Sequence, residues 1–332
     1  MTLIFDDDNS IKMKLITDMV GLARFILSPE CKSVIVLTGA GVSVASGIPD
    51  FRSPGGMYDT LRPELITATD TQRSLMALDP TYVVEKGMFM ENAFPYLEVR
   101  RPFILGVRDR KWKPTIAHHF FNLLHTKTGK LTRVFTQNID GLTNAVNLPD
   151  DKIVSVHGTI GKASCETCGK EMNFDAFCEE LKTKIKDIYN PQNGPKESEP
   201  IRCKSCGEAT VKPQTVLFGS SLPTEFFERA EEDLPSADLL IVAGTSLVVS
   251  PANSLVMRVP QSTHRVVVNN EPVGKGLGID YGPYVERDFF AQGNCDDVFL
   301  DLICELGWLP DLKEVVDNLP KSSVDLIRAK KD

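Results

Sequence analysis

A short β-branched segment that runs directly into a glycine-rich turn restricts the fold more than any other part of the sequence. Residues 33–38 read SVIVLT, and Gly39, Ala40 and Gly41 follow at once. A buried strand, a glycine turn and then a helix open the βα unit of nucleotide-binding folds, where glycines let the chain approach a pyrophosphate. Because Val44 stands in place of the third glycine of the dinucleotide fingerprint, a tight turn without a ligand is the better explanation of this piece alone.

The remainder of the chain alternates helices with short apolar strands. Apolar residues at helical spacing predict helices over residues 11–27, 115–126 and 225–233. Runs rich in β-branched residues predict strands over residues 132–136, 153–156, 215–218, 238–243 and 265–269. This alternation indicates an α/β fold with a doubly wound, parallel, Rossmann-like sheet.

The sequence also predicts how the chain is divided. We expect a Rossmann-like part built from residues 12–52, 111–157 and 215–308. Between these pieces lie a helical insertion over residues 53–110 and a smaller, cysteine-bearing module over residues 158–214. Residues 1–11 and 309–332 are expected to be terminal extensions.

Charge and hydropathy exclude several classes of protein. A net charge of −8 gives no general attraction for nucleic acid or for an anionic membrane, so neither is expected as a partner. The first residues carry Asp6, Asp7 and Asp8 where a signal peptide would be basic and then apolar. The most apolar stretch, residues 239–249, is short and interrupted by Gly244. We therefore expect a soluble intracellular protein, cytoplasmic or nuclear.

Four of the eight cysteines form two C-x-x-C pairs, Cys165 with Cys168 and Cys203 with Cys206. In a reducing compartment this pattern indicates metal binding in preference to disulfides. Four thiolates suit tetrahedral zinc, and a site with no open ligand position is structural. The sequence therefore predicts one structural Zn²⁺ per chain. The Pro- and Asn-rich stretch at residues 187–200 absorbs the long spacing between the pairs.

The loop after the glycine turn adds a more specific signal. Residues 39–53 read GAGVSVASGIPDFRS, in which Asp50 and Arg52 flank Phe51. A loop of this kind can close over a bound cofactor, whereas a structural loop needs no such set. GAG-x-S followed by GIPDFRS closely resembles the signature of the sirtuin family. The resemblance implies that the glycine turn lies at the pyrophosphate of NAD, and that Phe51 and Arg52 lie over the nicotinamide ribose.

A second motif, TQNID at residues 136–140, follows a predicted strand at the end where open α/β sheets bind ligands. An Asn and an Asp at this point could merely cap the next helix. With His157 and Gly158 following, however, the pattern again resembles that of sirtuins. The resemblance implies that Asn138 and Asp140 shape the nicotinamide pocket and that Gln137 contacts the ribose. It also implies that His157 is the general base, a role that suits a histidine near neutral pH.

Residues 211–223, VKPQTVLFGSSLP, resemble the sirtuin substrate segment. The resemblance implies that residues of this segment contact the acylated lysine, namely Val216, Leu217, Phe218 and Gly219. Leu217 replaces an aromatic residue of the family pattern and could alter the acyl-lysine tunnel, while Ser220 replaces an acid that would favour basic substrates. An extended substrate could add here as a strand.

The last matching motifs are the turn GTS at residues 244–246, then Asn269, Asn270 and Glu271 after the predicted strand RVVV, and finally Cys295. In sirtuins the matching positions surround the adenosine half of NAD. The resemblance spans residues 12–308, and the cofactor-binding residues that it implies are Gly39, Ala40, Gly41, Ser43, Ile48, Asp50, Phe51, Arg52, Gln137, Asn138, Asp140, Gly244, Thr245, Ser246, Asn269, Glu271 and Cys295.

The resemblance is greatest to the class I deacetylases, and it implies an NAD-dependent protein-lysine deacetylase. The expected products are nicotinamide, deacylated lysine and O-acetyl-ADP-ribose, with His157 and Asn138 as catalytic residues and acylated-lysine proteins or peptides as partners. The insertion segment AFPYLEVRRPF lacks the Tyr-x-x-Arg pair of acid-acyl-specific relatives, so neutral acyl groups are expected. Three alternatives stay open: a deacylase for longer chains, a protein-ADP-ribosyltransferase on the same scaffold, and an inactive NAD-sensing module. A dehydrogenase would normally carry the full glycine fingerprint.

Overall fold

The computed structural model describes residues 16–48, 56, 59–282 and 285–330. The strands within these residues are β1 (Val34–Thr38), β2 (Leu131–Thr136), β3 (Ile153–Ser155), β4 (Gly158–Cys165), β5 (Glu171–Met172), β6 (Val211–Thr215), β7 (Leu239–Ala243), β8 (His264–Asn269) and β9 (Asp288–Gln292). The helices are α1 (Met19–Leu27), α2 (Asp70–Leu78), α3 (Lys86–Glu91), α4 (Phe94–Arg108), α5 (Ile116–Thr128), α6 (Phe174–Lys184), α7 (Thr224–Asp233), α8 (Leu255–Arg258), α9 (Cys295–Glu305), α10 (Leu309–Glu314) and α11 (Lys321–Ala329). None of these helices has the length and apolar character needed to span a bilayer.

Six strands form one parallel sheet in the order β3-β2-β1-β7-β8-β9. Strand β1 pairs with β2 on one side and with β7 on the other. The central pair is β1 and β7: β2 and β3 follow outward from β1, and β8 and β9 follow outward from β7. This is the strand order of a Rossmann-like fold, and it confirms the predicted fold class. The order reverses between β1 and β7, which is where such sheets bind ligands.

Strand β1 shows why helices cover both faces of the sheet. Every residue of the strand is buried, and successive side chains of a strand point to opposite faces. Val34 and Val36 belong to a core formed with helices α1, α5 and α9. Ile35 and Leu37 belong to a second core formed with helices α7 and α8. Each such side chain contributes about 1.5–3 kcal/mol when it is fully buried, so the central strands hold the two layers together.

The helical insertion and the cysteine-bearing module pack together as a smaller lobe. Strands β5, β4 and β6 form its antiparallel sheet, and helix α4 of the insertion lies against β4 and against helix α6. Phe89 and Tyr96 from the insertion share one core with Phe177 and Leu181 from the module. The elements in the described part of residues 53–110 are helices, with no strand among them, and the predicted division of the chain stays a prediction.

The strand predicted over residues 215–218 is wrong in position and partner. The strand is β6, Val211–Thr215, and it pairs with β4 in the small antiparallel sheet. The sequence did not indicate this strand, because the charge of Lys212 and the proline at position 213 interrupt its apolar pattern. Lys212 is nevertheless 3% exposed, and its ammonium group pairs with Glu166 at 3.0 Å and donates to the Thr215 carbonyl at 2.6 Å.

Two further expectations were wrong in detail. Helix α1 begins at Met19, where the Asp18 carboxylate accepts from the Gly21 N–H at 2.6 Å and caps the helix. The predicted start at residue 11 lies outside the described residues. His264 was expected at the surface but is 2% exposed at the start of β8, with its ring edge-on to Phe25 at 4.8 Å between centroids.

The chain beyond residue 308 continues the core of the large sheet. Leu312 of α10, Leu319 in the connection between the two helices and Ile327 of α11 are buried in the same cluster as the strands and α9. The Ser323 hydroxyl donates to Asp296 at 2.5 Å, which joins α11 to the first turn of α9. This segment is therefore integrated into the Rossmann-like part of the molecule.

Candidate active site

A cleft of about 1560 Å³ opens along the carboxyl ends of the central strands, at the point where the strand order reverses. His157 lies in its wall. So do most residues that the resemblance assigns to NAD or substrate, namely Gly39, Ala40, Gly41, Gln137, Asn138, Val216, Leu217, Phe218, Gly219, Gly244, Thr245, Ser246, Asn269, Glu271 and Cys295.

The glycine turn after β1 packs directly against the turn after β7. The Gly41 N–H donates to the Gly244 carbonyl at 2.8 Å, and the Gly39 N–H donates to the Ala243 carbonyl at 3.0 Å. A Cβ atom on Gly39 would stand 2.7 Å from the Gly244 oxygen, and one on Gly41 would stand 2.6 Å from the Gly244 Cα. The two turns can therefore touch only because these residues are glycines. This role is separate from the one expected from the sequence, which is the close approach of the backbone to a phosphate.

Asn138, Ser43 and Asp140 form a buried chain of hydrogen bonds behind the cleft wall. The Asn138 side-chain amide donates to the Ser43 hydroxyl at 3.1 Å, and that hydroxyl donates to Asp140 at 2.7 Å. Burial raises the pKa of Asp140, while hydrogen bonds from the Leu142 N–H and from Ser43 act in the opposite direction. Because the Ser43 proton goes to Asp140, the Asn138 NH₂ group must face Ser43. The Asn138 carbonyl oxygen is thereby oriented as an acceptor for a ligand.

Gln137 links the ends of three neighbouring strands. Its side-chain NH₂ donates to the Thr245 hydroxyl at 3.0 Å and to the Thr38 carbonyl at 3.3 Å. Its backbone carbonyl accepts from the His157 ring at 3.0 Å. The turn after β2 is thus fixed to β1, to the β7 turn and to His157.

The environment of His157 sets its tautomer and its charge. Nδ1 lies 3.0 Å from the Gln137 carbonyl oxygen, which can only accept, so Nδ1 carries the proton. Burial lowers the pKa of His157 below its ordinary value. The ring is therefore neutral near pH 7, and Nε2 has the lone pair that a general base needs.

The predicted substrate segment is bound through its backbone to the histidine and to the helical insertion. The Val216 N–H donates to the His157 carbonyl, and the Phe218 N–H donates to the Val84 carbonyl, each at 2.9 Å. Leu217 points inward and is 1% exposed, whereas Phe218 is 41% exposed at the cleft. The segment itself is consequently held in a fixed register relative to His157.

The four cysteines of the C-x-x-C pairs form a metal site of the predicted kind. Their sulfur atoms all lie within 4.8 Å of one another. The Cys165–Cys206 and Cys168–Cys203 sulfur pairs are 3.6 and 3.7 Å apart. Tetrahedral zinc with Zn–S bonds of about 2.3 Å requires sulfur separations of about 3.8 Å, so the cluster fits zinc. All four ligand positions come from the protein, as in a structural site.

The structure separates the remaining predicted site residues into two groups. Ser43, Ile48 and Asp140 are buried and do not line the cleft, and Ser43 joins Asp140 to the cleft residue Asn138 by hydrogen bonds. Asp50 and the adjacent Phe51 and Arg52 lie outside the described residues, and the roles assigned to these three stay predictions.

Sequence reasoning missed several cleft residues. On α7, Phe226 is 1% exposed in the core whereas Phe227 is 46% exposed and lines the cleft. Adjacent phenylalanines are not a signal by themselves, because Phe120 and Phe121 of α5 are both buried in one core. Arg100 of α4 and Leu326 of α11 also line the cleft, and no local pattern marks either of them.

The sheet order, the cleft at the switch point and the four-cysteine site define a Rossmann-like nucleotide-binding protein with a structural metal module. A sequence model of the Sir2 family matches residues 39–251. The chain is 35% identical to the NAD-dependent protein deacetylase sirtuin-2 of Danio rerio, over 89% of this chain and 73% of that protein. It is 32% identical to the NAD-dependent protein deacetylase hst2 of Schizosaccharomyces pombe, over 89% of this chain and 78% of that protein.

A third relative, the NAD-dependent deacetylase sir2A of Dictyostelium discoideum, is 36% identical over 94% of this chain, which spans 56% of that protein. These matches cover both the Rossmann-like part and the cysteine-bearing module. The chain belongs to the Sir2, or sirtuin, family.

Proposed function

We propose that this protein is an NAD-dependent protein-lysine deacetylase that releases nicotinamide, lysine and O-acetyl-ADP-ribose. One observation carries the proposal: a neutral histidine with a free Nε2 lies in a cleft at the switch point, and the substrate segment is hydrogen-bonded to its backbone. The Sir2 relatives are named as NAD-dependent deacetylases, which supports the same activity.

The residues of the cleft suit NAD in an extended pose. The packed glycine turns after β1 and β7 present backbone to the pyrophosphate, and Gln137 is held where it can contact the nicotinamide ribose. The Asn138 carbonyl oxygen is oriented to accept from the nicotinamide amide. Asn269, with Cys295 nearby, lines the part of the cleft assigned to adenosine. NAD would supply an electrophilic anomeric carbon and a cationic leaving group.

His157 would act as the general base of the second half of the reaction. Its Nδ1–H is committed to the Gln137 carbonyl, which fixes the ring and leaves Nε2 to take a proton from a ribose hydroxyl. That hydroxyl would then attack the acyl carbon while this carbon is still bonded to the lysine nitrogen, and the lysine amine would be the leaving group. Asn138, oriented by Ser43 and Asp140, would hold the nicotinamide during its departure.

The substrate would be an acetylated lysine in a protein or peptide, laid along residues 216–219. Leu217 is buried beside the cleft, and no acidic side chain occupies position 220, so recognition of basic flanking residues is not expected from that position. The zinc would be held by Cys165, Cys168, Cys203 and Cys206 and would stabilise the module without taking part in the reaction. Thiolates of this kind suit a reducing compartment, cytoplasmic or nuclear.

The test is a mass-spectrometric assay of an acetyl-lysine peptide with and without NAD. We expect NAD-dependent deacetylation, and a loss of about 10²- to 10⁴-fold in the His157→Ala variant. His125→Ala is the matched control, because His125 lies in the last turn of α5 and is not a cleft residue. Full activity of His157→Ala would contradict the assignment. Nicotinamide release with the acetyl group intact would indicate ADP-ribosyl transfer or NAD hydrolysis instead.

A further inference from the structure

Helix α11, near the end of the chain, forms part of the cleft wall. Ser322 and Leu326 both line the cleft, and their spacing of one helical turn places them on the same face of the helix. Leu326 is partly buried and also packs against the core of the large sheet. A leucine that faces both the core and the cleft offers an apolar surface to a ligand.

Hydrogen bonds and core contacts hold α11 at this place. The Ser322 hydroxyl donates to the Ala45 carbonyl at 2.5 Å, in the short helix that follows the glycine turn. The Ser323 hydroxyl donates to Asp296 at 2.5 Å, and Ile327 is 5% exposed in the core. The position of the helix is thus set by the elements that form the cofactor end of the cleft.

Asp296 joins α11 to two other helices at one point. Its carboxylate accepts from the backbone N–H of Ala117 at 3.2 Å, in the first turn of α5, as well as from Ser323. Asp296 itself stands in the first turn of α9, next to Cys295 in the cleft wall. The bond from Ser323 to Asp296 thus joins α11 to α9 next to Cys295, and Cys295, Ser322 and Leu326 all line the same cleft.

We propose that Leu326 is a cofactor-contacting residue, which provides an apolar wall for the adenosine half of NAD. The proposal rests on the proposed function, which puts adenosine beside Cys295. The adenine ring is flat and largely apolar on its faces, so contact with a leucine side chain removes apolar surface of both partners from water. Ser322 and Ser323 are positioning residues in this arrangement, since they hold the helix that carries Leu326.

Isothermal titration calorimetry of the full-length chain with NAD and with ADP-ribose tests the proposal through the Leu326→Ala variant. We expect the Kd for both ligands to rise about five- to tenfold, as the loss of a partial leucine contact implies. In the peptide assay the KM for NAD should rise by a similar factor, while kcat at saturating NAD is unchanged. A structural role alone would not divide KM from kcat in this way.

Val324→Ala is the matched control, because Val324 is also a partly buried α11 residue that packs on the same core but does not line the cleft. It should leave both Kd values within about twofold of wild type. Leu326→Val, a smaller truncation, replaces the alanine variant if that variant is unfolded in a thermal melt. Equal Kd values for wild type and the Leu326 variants, or equal increases in the Leu326 and Val324 variants, would overturn the proposal.

The same experiment separates this inference from the proposed function. If the wild type binds ADP-ribose and the Leu326 variant binds it more weakly, the inference holds even when no deacetylation is detected. If the wild type deacetylates but the variant binds NAD equally well, the inference fails alone. If the wild type binds neither ligand, both fail.

Discussion

Substitution of Gly41 by alanine perturbs the junction on which the cofactor cleft is built. The new Cβ would lie 2.6 Å from the Gly244 Cα and 3.0 Å from the Gly244 oxygen. Carbon atoms in contact are normally about 3.5–4.0 Å apart, so the overlap is about 1 Å. Both clashing atoms belong to the backbone, so no rotamer change can relieve the overlap. The two turns must therefore separate, which weakens the hydrogen bond from the Gly41 N–H to the Gly244 carbonyl.

The expected cost in the free energy of unfolding is about 1–3 kcal/mol, which is typical of overpacking. For a chain of 332 residues the melting temperature should fall by about 1–5 °C. The Kd for NAD should rise about tenfold or more, because the displaced turn is the one expected to face the pyrophosphate. Thermal melts and calorimetric titration with NAD measure the two effects.

Gly276→Ala is the control for the intrinsic effect of exchanging glycine for alanine. A Cβ at Gly276 would meet no heavy atom within 4 Å, and this residue is not among the glycines with positive φ. We expect it to melt and to bind NAD like the wild type. The reasoning is refuted if Gly41→Ala and Gly276→Ala behave alike in both measurements.

Three further predictions concern titration and metal. Because burial lowers the pKa of His157, the acid limb of the kcat/KM profile should lie below the ordinary histidine value of about 6.5. Cys203→Ser should reduce bound zinc, measured by metal analysis of the purified chain, and should destabilise the small lobe. Burial lowers the pKa of His118 to about 3. Between about pH 3 and pH 6.5 the histidine is therefore protonated in the unfolded state and neutral in the folded state. The free energy of unfolding should therefore decrease as the pH is lowered through this window, and it should decrease less steeply in His118→Gln.

Each of these predictions has a contrary result. An acid limb above pH 7 would show that His157 is not the neutral base. A Cys203→Ser chain with undiminished zinc would exclude the four-cysteine site, for which Cys304→Ser, outside the cluster, is the control. The loss of stability is measured by denaturant unfolding at pH 7 and pH 5. An equal loss on acidification in the wild type and in His118→Gln would exclude the histidine as the cause.

The parts of the fold that the sequence predicted well are those in which the chemistry is local. Four cysteines in two short pairs have few uses in a reducing compartment, and the structure brings them together. The glycine turns after β1 and β7 were visible because each follows a fully buried strand. The order of alternating elements indicated the parallel sheet, and its six strands lie in the expected Rossmann-like arrangement.

The features that the sequence did not reveal depend on contacts between distant residues. The bond from Ser322 to Ala45 joins positions 277 residues apart, and nothing in the local pattern around either residue indicates it. Lys212 places a charge within the sequence of β6, and its ion pair with Glu166 lets the side chain be buried there. Arg133 is likewise buried, because Asp233 on α7 pairs with it at 2.7 Å. A buried charge is readable only when its partner is known.

The proposed deacetylase activity requires that the cleft couple removal of the acyl group to cleavage of NAD. The most direct measurement is the simultaneous quantification, by mass spectrometry, of nicotinamide, deacetylated peptide and O-acetyl-ADP-ribose in one reaction of the full-length protein. We predict equal amounts of the three products at every time point, and none without NAD. Deacetylated peptide that appears with free acetate while NAD stays intact, or nicotinamide that accumulates while the peptide stays acetylated, would contradict it.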